Sequence, residues 1–273
     1  MSYTETNTEV VTFKKENLEV KIFPTREEMG EDAANDVLNA LRKLLKEKEE
    51  VNMIFAAAPS QSDMMKALMA DDSIDWSRIN AFHMDEYIGL DKDAPQGFGN
   101  FLKERVFGKR AFKSIHYING QATDDDAECR RYTELLKQYP VDIVCLGIGE
   151  NGHIAFNDPP VADFNDDKMI KVVELEHTCR QQQVNDKCFV SLTEVPTHAF
   201  TLTIPTLMQA KYMFCVVPTA FKAKAVYHTI NDEIGEQCPA TILRTKKGAV
   251  LYLDQSAVCQ RSEERRVGKE CRS

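Results

Sequence analysis

His153 and Asp158 share one glycine-rich stretch with Asn151, in Leu146 to Pro160, LGIGENGHIAFNDPP. An imidazole moves protons near neutral pH, and a neighbouring carboxylate orients it and stabilises its charged form. A second acidic pair, Asp85 and Glu86, lies in AFHMDEYIGL from Ala81 to Leu90. Taken singly, each group has a plainer role. A histidine after a strand is commonly a satisfied structural side chain, and an Asp-Glu pair commonly caps a turn or a helix.

The elements around them favour chemistry. Val141 to Ile148, VDIVCLGI, is a short apolar run rich in β-branched residues, the pattern of a strand buried on both faces. Gly147, Gly149 and Gly152 then let the backbone turn sharply and approach a ligand. In open α/β sheets, ligands bind just past the carboxyl ends of strands. A strand over Ile79 to Met84 would deliver Asp85 and Glu86 to the same edge as His153.

Elsewhere, Thr25 with Glu28 forms a capping box ahead of a helix whose apolar positions, Ala34, Val37, Leu38, Leu41, Leu44 and Leu45, run to about Lys48. Strands follow at Val51 to Ala57, Ile115 to Ile118, Phe200 to Ile204, Tyr212 to Val217 and Ala249 to Asp254. Helices are expected after Ser62, near Phe98 to Val106, at Asp125 to Gln138, after Pro205 and at Ala220 to Ile230. This alternation predicts one α/β domain over residues 1–260, a mostly parallel, doubly wound, Rossmann-like sheet with helices on both faces.

The bulk numbers narrow the classes. The 273 residues are 43% hydrophobic and 28% charged, an ordinary globular composition. No apolar window reaches membrane-span length, and MSYTETNTEV lacks the marks of a signal peptide, so a cytoplasmic protein without a membrane role is expected. A net charge of -9 argues against nucleic-acid binding, which needs a basic face. The eight cysteines show no CxxC grouping, which fits reduced thiols and speaks against structural zinc. The last thirteen residues, RSEERRVGKECRS, carry five basic and three acidic side chains, leaving -11 on residues 1–260. That shift marks 261–273 as a disordered, non-native tail.

The two motifs together resemble the glucosamine-6-phosphate deaminase (isomerase) family. The first is similar to its GxGxxGHIAFNEP signature, with Asp158 at the acid, and AFHMDEYIGL is similar to its MDEY element. The resemblance implies a sugar phosphate substrate, with ring opening, proton transfer from C2 to C1 and imine hydrolysis releasing ammonia and fructose 6-phosphate. Those steps need neither metal nor organic cofactor. By the same resemblance, His153 is the ring-opening base, Asp158 its partner, Asn151 the third ring-opening residue, Asp85 the enolisation base and Glu86 a supporting neighbour.

At the phosphate end, AAPSQS from Ala57 to Ser62 stands where the family has a TGGTP loop, and Pro59 removes an N–H donor. Ser60 and the amides of Gln61 and Ser62 would cradle the anion there. Arg180 and Lys222 stand where the family places its phosphate-binding Arg and Lys. The family includes hexamers and smaller assemblies, so the resemblance admits a homo-oligomer without choosing one. The competing readings are a 6-phosphogluconolactonase, which needs the histidine but no carboxylate over C2, and a catalytically silent sugar-phosphate sensor.

Overall fold

The computed structural model describes residues 9–258. The chain opens with a hairpin, β1 (Val11–Lys15) and β2 (Leu18–Phe23), turning through Glu16 at φ 55°. Thr25 caps α1 (Arg26–Glu47), its hydroxyl oxygen accepting from the Glu28 N–H at 3.2 Å. The Glu28 carboxylate returns the contact by accepting from the Thr25 hydroxyl at 3.0 Å, not from the cap's backbone N–H. Next come β3 (Val51–Phe55), α2 (Ser62–Ala70), β4 (Ile79–His83), β5 (Asp85–Tyr87) and α3 (Phe98–Leu102). β6 (Ser114–His116), α4 (Asp125–Gln138), β7 (Ile143–Leu146), β8 (Ile170–Glu174) and α5 (His177–Asn185) follow. The chain continues through β9 (His198–Leu202), α6 (Ile204–Met208), β10 (Tyr212–Val217), α7 (Ala223–Asn231) and β11 (Ala249–Asp254).

The main sheet has the order β1-β2-β11-β10-β7-β3-β4-β6, and every pair in it is parallel except β1 with β2. Its central strands are apolar because both faces are covered. Ile143 and Cys145 of β7 join the core beneath α1 and α2, while Val144 and Leu146 join the one beneath α4 and α7. The expectation of a mostly parallel, doubly wound sheet with helices on both faces is met in this sheet.

Three strands depart from it. β5, β9 and β8 form a separate antiparallel sheet, so the strand expected near Phe200 does not enter the main sheet. Neither β8 nor the β1–β2 hairpin was expected; both are short and lack the long apolar run of the central strands, because much of each meets solvent.

The order of the main sheet fixes where a ligand can sit. From β3 the chain winds outward through β4 and β6, then returns to place β7 on the other side of β3 and winds outward again through β10 and β11. The loops leaving β3 and β7 therefore diverge, opening a crevice at their carboxyl ends. Among the described residues, no helix is long and apolar enough to cross a membrane, and Cys129, Cys145, Cys179, Cys188, Cys215 and Cys238 are free thiols. The proposed tail at 261–273 lies outside the described residues.

Candidate active site

The crevice holds a pocket lined by the loop after β3 (Ala57, Ala58, Pro59, Ser60), by Met84 and Asp85, by the loop after β7 with His153, and by Gln182, Gln183, Asp186 and Lys222. The small sheet brings its two chemical halves together. Asp85 pairs in register with Thr201, and the Thr201 hydroxyl oxygen accepts from the Phe156 N–H at 3.0 Å in the histidine loop. The Asn157 side chain anchors that loop further, donating to the carbonyls of Ile154 and Leu202 at 2.9 and 2.8 Å.

Within the loop, His153 Nδ1 lies 2.7 Å from Asn151 Oδ1 and 2.8 Å from Asp158 Oδ1. Both neighbours are acceptors, so the ring proton belongs on Nδ1 and Nε2 is left as the basic nitrogen. Asn151 Nδ2 donates to Asp158 Oδ1 at 3.0 Å and to Glu176 Oε2 at 2.5 Å, holding its own oxygen toward the histidine. The short acid at 158 thus reaches the imidazole directly. Burial, the largest single influence on Asp158, would raise its pKa; the His153 charge and hydrogen bond, the Asn151 amide and the Glu176 N–H together hold it below the ordinary carboxylate value.

Gly149 makes room for this arrangement, since a Cβ there would lie 2.1 Å from His153 Cε1. Gly149→Ala is therefore expected to push the imidazole out of place and lower kcat/KM by roughly a hundredfold with the fold intact. Steady-state kinetics beside a thermal melt check this, and unchanged kinetics would mean that the imidazole position described here is not the working one.

Asp85 also lines the pocket and is buried, and its Oδ1 has no hydrogen-bond partner among the described residues. Burial, and then the charge of Glu86, push its pKa well above the usual carboxylate value. Its backbone is fixed by His83, which donates from Nδ1 to the Asp85 carbonyl at 2.8 Å and accepts the Ile118 N–H on Nε2 at 2.9 Å. Burial lowers the His83 pKa to about 4, so this ring stays neutral and serves as a brace. Glu86 faces away from the pocket. Its carboxylate accepts the N–H groups of Tyr87, Phe98 and Gly99 at 2.9, 3.0 and 2.8 Å, closing the start of α3.

Lys222 reaches the pocket from the turn after β10, where Thr219 is held at φ 82° by bonds from its N–H to the Asp254 carboxylate at 3.2 and 3.1 Å. The lysine is 5% exposed and its Nζ is unpartnered among the described residues. Burial lowers its pKa, opposed by the charges of Asp186 and Glu150. A buried polar side chain without a partner is costly, and Lys222 and Asp85, which line the same pocket, both carry that cost.

The chain matches the family model described as glucosamine-6-phosphate isomerases/6-phosphogluconolactonase over residues 24–252. It belongs to that family. A glucosamine-6-phosphate deaminase from Exiguobacterium sp. is 37% identical over 233 residues, covering 84% of this chain and 90% of the relative. One from Bacillus cereus is 34% identical over 246 residues, 90% of each. Among solved structures, a monomeric glucosamine-6-phosphate deaminase aligns with a TM-score of 0.78 at 28% identity, covering 88% of this chain and 98% of that one. A 6-phosphogluconolactonase from Thermotoga maritima, at TM-score 0.68 and 20% identity, shares the fold.

Arg180, which the resemblance assigned to phosphate, and the loop amides of Gln61 and Ser62, read as a phosphate cradle, make other contacts in this structure, although Arg180 Nε has no partner among the described residues. Arg180 does not line the pocket: its Nη2 donates to the carbonyls of Leu192 and Val195, both at 2.8 Å, clamping the segment ahead of β9. The Gln61 N–H is bonded to the Ala58 carbonyl at 2.9 Å and that of Ser62 to the Pro59 carbonyl, because Pro59 starts a tight turn that consumes the amides. The Gln61 side chain ties the loop to β10 through the Val216 carbonyl at 3.0 Å. Ser60 and Lys222 remain on the wall, joined by Gln182, Gln183 and Asp186 of α5 and its end. Sequence reading passed over these three, since QQQVND has the composition of a solvated helix face and only its docking on the histidine loop, through Glu150 N–H to Gln182 Oε1 at 2.8 Å, turns it inward.

Proposed function

We propose that the protein is a cytoplasmic glucosamine-6-phosphate deaminase that converts glucosamine 6-phosphate to fructose 6-phosphate and ammonia, in the breakdown of amino sugars. The observation that carries this reading is the pairing, in one pocket, of a histidine held by Asp158 with a buried, unpartnered carboxylate at Asp85. In ring opening, His153 Nε2 takes the proton of the anomeric hydroxyl and returns it to the ring oxygen, while Asp158 and Asn151 fix the imidazole and stabilise its charge. In the open chain, Asp85 removes the C2 proton and delivers it to C1, shifting the aldose toward the ketose imine. Water then adds to the C2 imine and ammonia leaves.

A lactonase would use the histidine to activate water but has no use for a carboxylate kept unpartnered opposite it. The decisive assay is ammonia release from glucosamine 6-phosphate beside Asp85→Asn, with galactosamine 6-phosphate in parallel. Release that the variant lacks supports the reading, and no release above the variant from either sugar overturns it. Release from galactosamine 6-phosphate alone would keep the reaction class and change the substrate.

Lys222 supplies the positive charge for the phosphate on this reading, with the Ser60 hydroxyl beside it. Lys222→Met, which keeps the aliphatic stem, is expected to raise KM for glucosamine 6-phosphate by roughly tenfold to a hundredfold with a smaller change in kcat, the worth of a charge-assisted hydrogen bond. Initial rates over a substrate series separate the two, and an unchanged KM would remove Lys222 from the phosphate site.

A further inference from the structure

Cys179, in α5, has no part in the reaction described above, yet it stands beside the ring-opening pair. A ring nitrogen of His153, a carboxylate oxygen of Asp158 and the Sγ of Cys179 all lie within 4.8 Å of one another, and all three residues are buried. Zinc takes imidazole nitrogen and carboxylate oxygen at about 2.0–2.2 Å and thiolate sulfur at about 2.3 Å, which puts tetrahedral ligands about 3.4–3.6 Å apart. Shifts of an ångström or less would bring these donors around one ion. Of the three, His153 lines the pocket, so the ion would approach from that side, while Asp158 and Cys179 lie buried behind it.

We propose that His153, Asp158 and Cys179 form a binding site for a thiophilic divalent cation, zinc above all, that switches the enzyme off by capturing its ring-opening base. Binding displaces the thiol proton to solvent and moves the ring proton from Nδ1, the nitrogen beside Asp158, to Nε2; thiolate and carboxylate together balance the two charges of the ion. With the metal on Nδ1 and the proton on Nε2, the ring-opening nitrogen no longer has a free lone pair, and Asp158 no longer steadies the ring for proton transfer. Soft and borderline donors favour zinc, cobalt and copper over magnesium. The effect on turnover rests on the deaminase reading; the binding itself does not.

The experiment uses the full-length protein stripped with a chelator. Titrated with Co²⁺, the wild type should develop a near-ultraviolet thiolate-to-cobalt band that Zn²⁺ removes, and Cys179→Ser should lack the band while keeping ammonia release in metal-free buffer. Zn²⁺ should inhibit the wild type reversibly at a concentration at least about tenfold below that needed for Cys179→Ser, since losing a ligand costs no less than losing a residue that orients one. Mg²⁺ should leave activity untouched. Absence of the band in the wild type, equal zinc sensitivity of the two proteins, or inhibition by Mg²⁺ would overturn the proposal. A band with no ammonia release from any sample would sink the deaminase reading and leave the metal site standing. Should Cys179→Ser misfold, Zn²⁺ protection of Cys179 from N-ethylmaleimide in the wild type, read by peptide mass, takes its place, and equal labelling with and without metal overturns the site.

Discussion

Asp85→Asn is expected to lower ammonia release by about a hundredfold to ten-thousandfold, the range lost when a positioned general base is removed, and to melt at a higher temperature than the wild type at neutral pH. Both effects come from one fact. A carboxylate with an unpartnered oxygen, buried near Glu86, binds its proton more tightly in the folded chain than in the unfolded one. The stability tied to that proton is fully present below the unfolded carboxylate pKa and is lost as pH rises through the raised folded value. The amide never ionises, so the variant's advantage should appear at neutral pH and vanish in acid. The same shift places the acid limb of wild-type kcat/KM above the range of ordinary carboxylates, because the base works only when ionised. Melting curves and rate profiles across pH measure all of this; a variant less stable than wild type at neutral pH would contradict the account of Asp85.

At position 158, both conservative changes should be harmful, for different reasons. Asp158→Asn removes the charge that stabilises the imidazolium and sets an amide that can offer N–H against the Nδ1 proton, so kcat should fall by about a thousandfold or more, as when the acid of a catalytic His-Asp pair is neutralised. Asp158→Glu restores the residue of the family signature, yet it should also lose activity, by about tenfold. Asp158 is 1% exposed and already 2.8 Å from His153. An added methylene has to force its way into a filled site, which costs about 1–3 kcal/mol. A glutamate variant faster than wild type would show that this loop is not fitted to the shorter acid.

Several parts of this molecule were legible before any fold was known. The β7 strand announced itself by an unbroken apolar run, and α1 by its cap and spacing, because burial on two faces and on one face leave different periods in the chain. The departure of β9 from the main sheet was not legible: HAFTL reads equally well as a central strand, and only its antiparallel partners β5 and β8 assign it elsewhere. Arg180 and Gln61 show the same limit at the level of side chains. A guanidinium beside a binding motif can face the ligand or clamp a neighbouring loop, and the carbonyls of Leu192 and Val195 are what draw it away.

The sequence by itself determined that Asn151, His153 and Asp158 come together, since they sit on one short loop whose glycines allow the sharp turn, and neighbours along the chain stay neighbours in space. It also determined the layered α/β class, through alternating periods. Tertiary structure alone decided that Asp85 meets that loop, through the register of Asp85 with Thr201, and that Lys222 and residues of α5 line the pocket while Arg180 does not. Those contacts join segments far apart in sequence, and their strength lies in packing and strand register, which no local pattern of residues encodes.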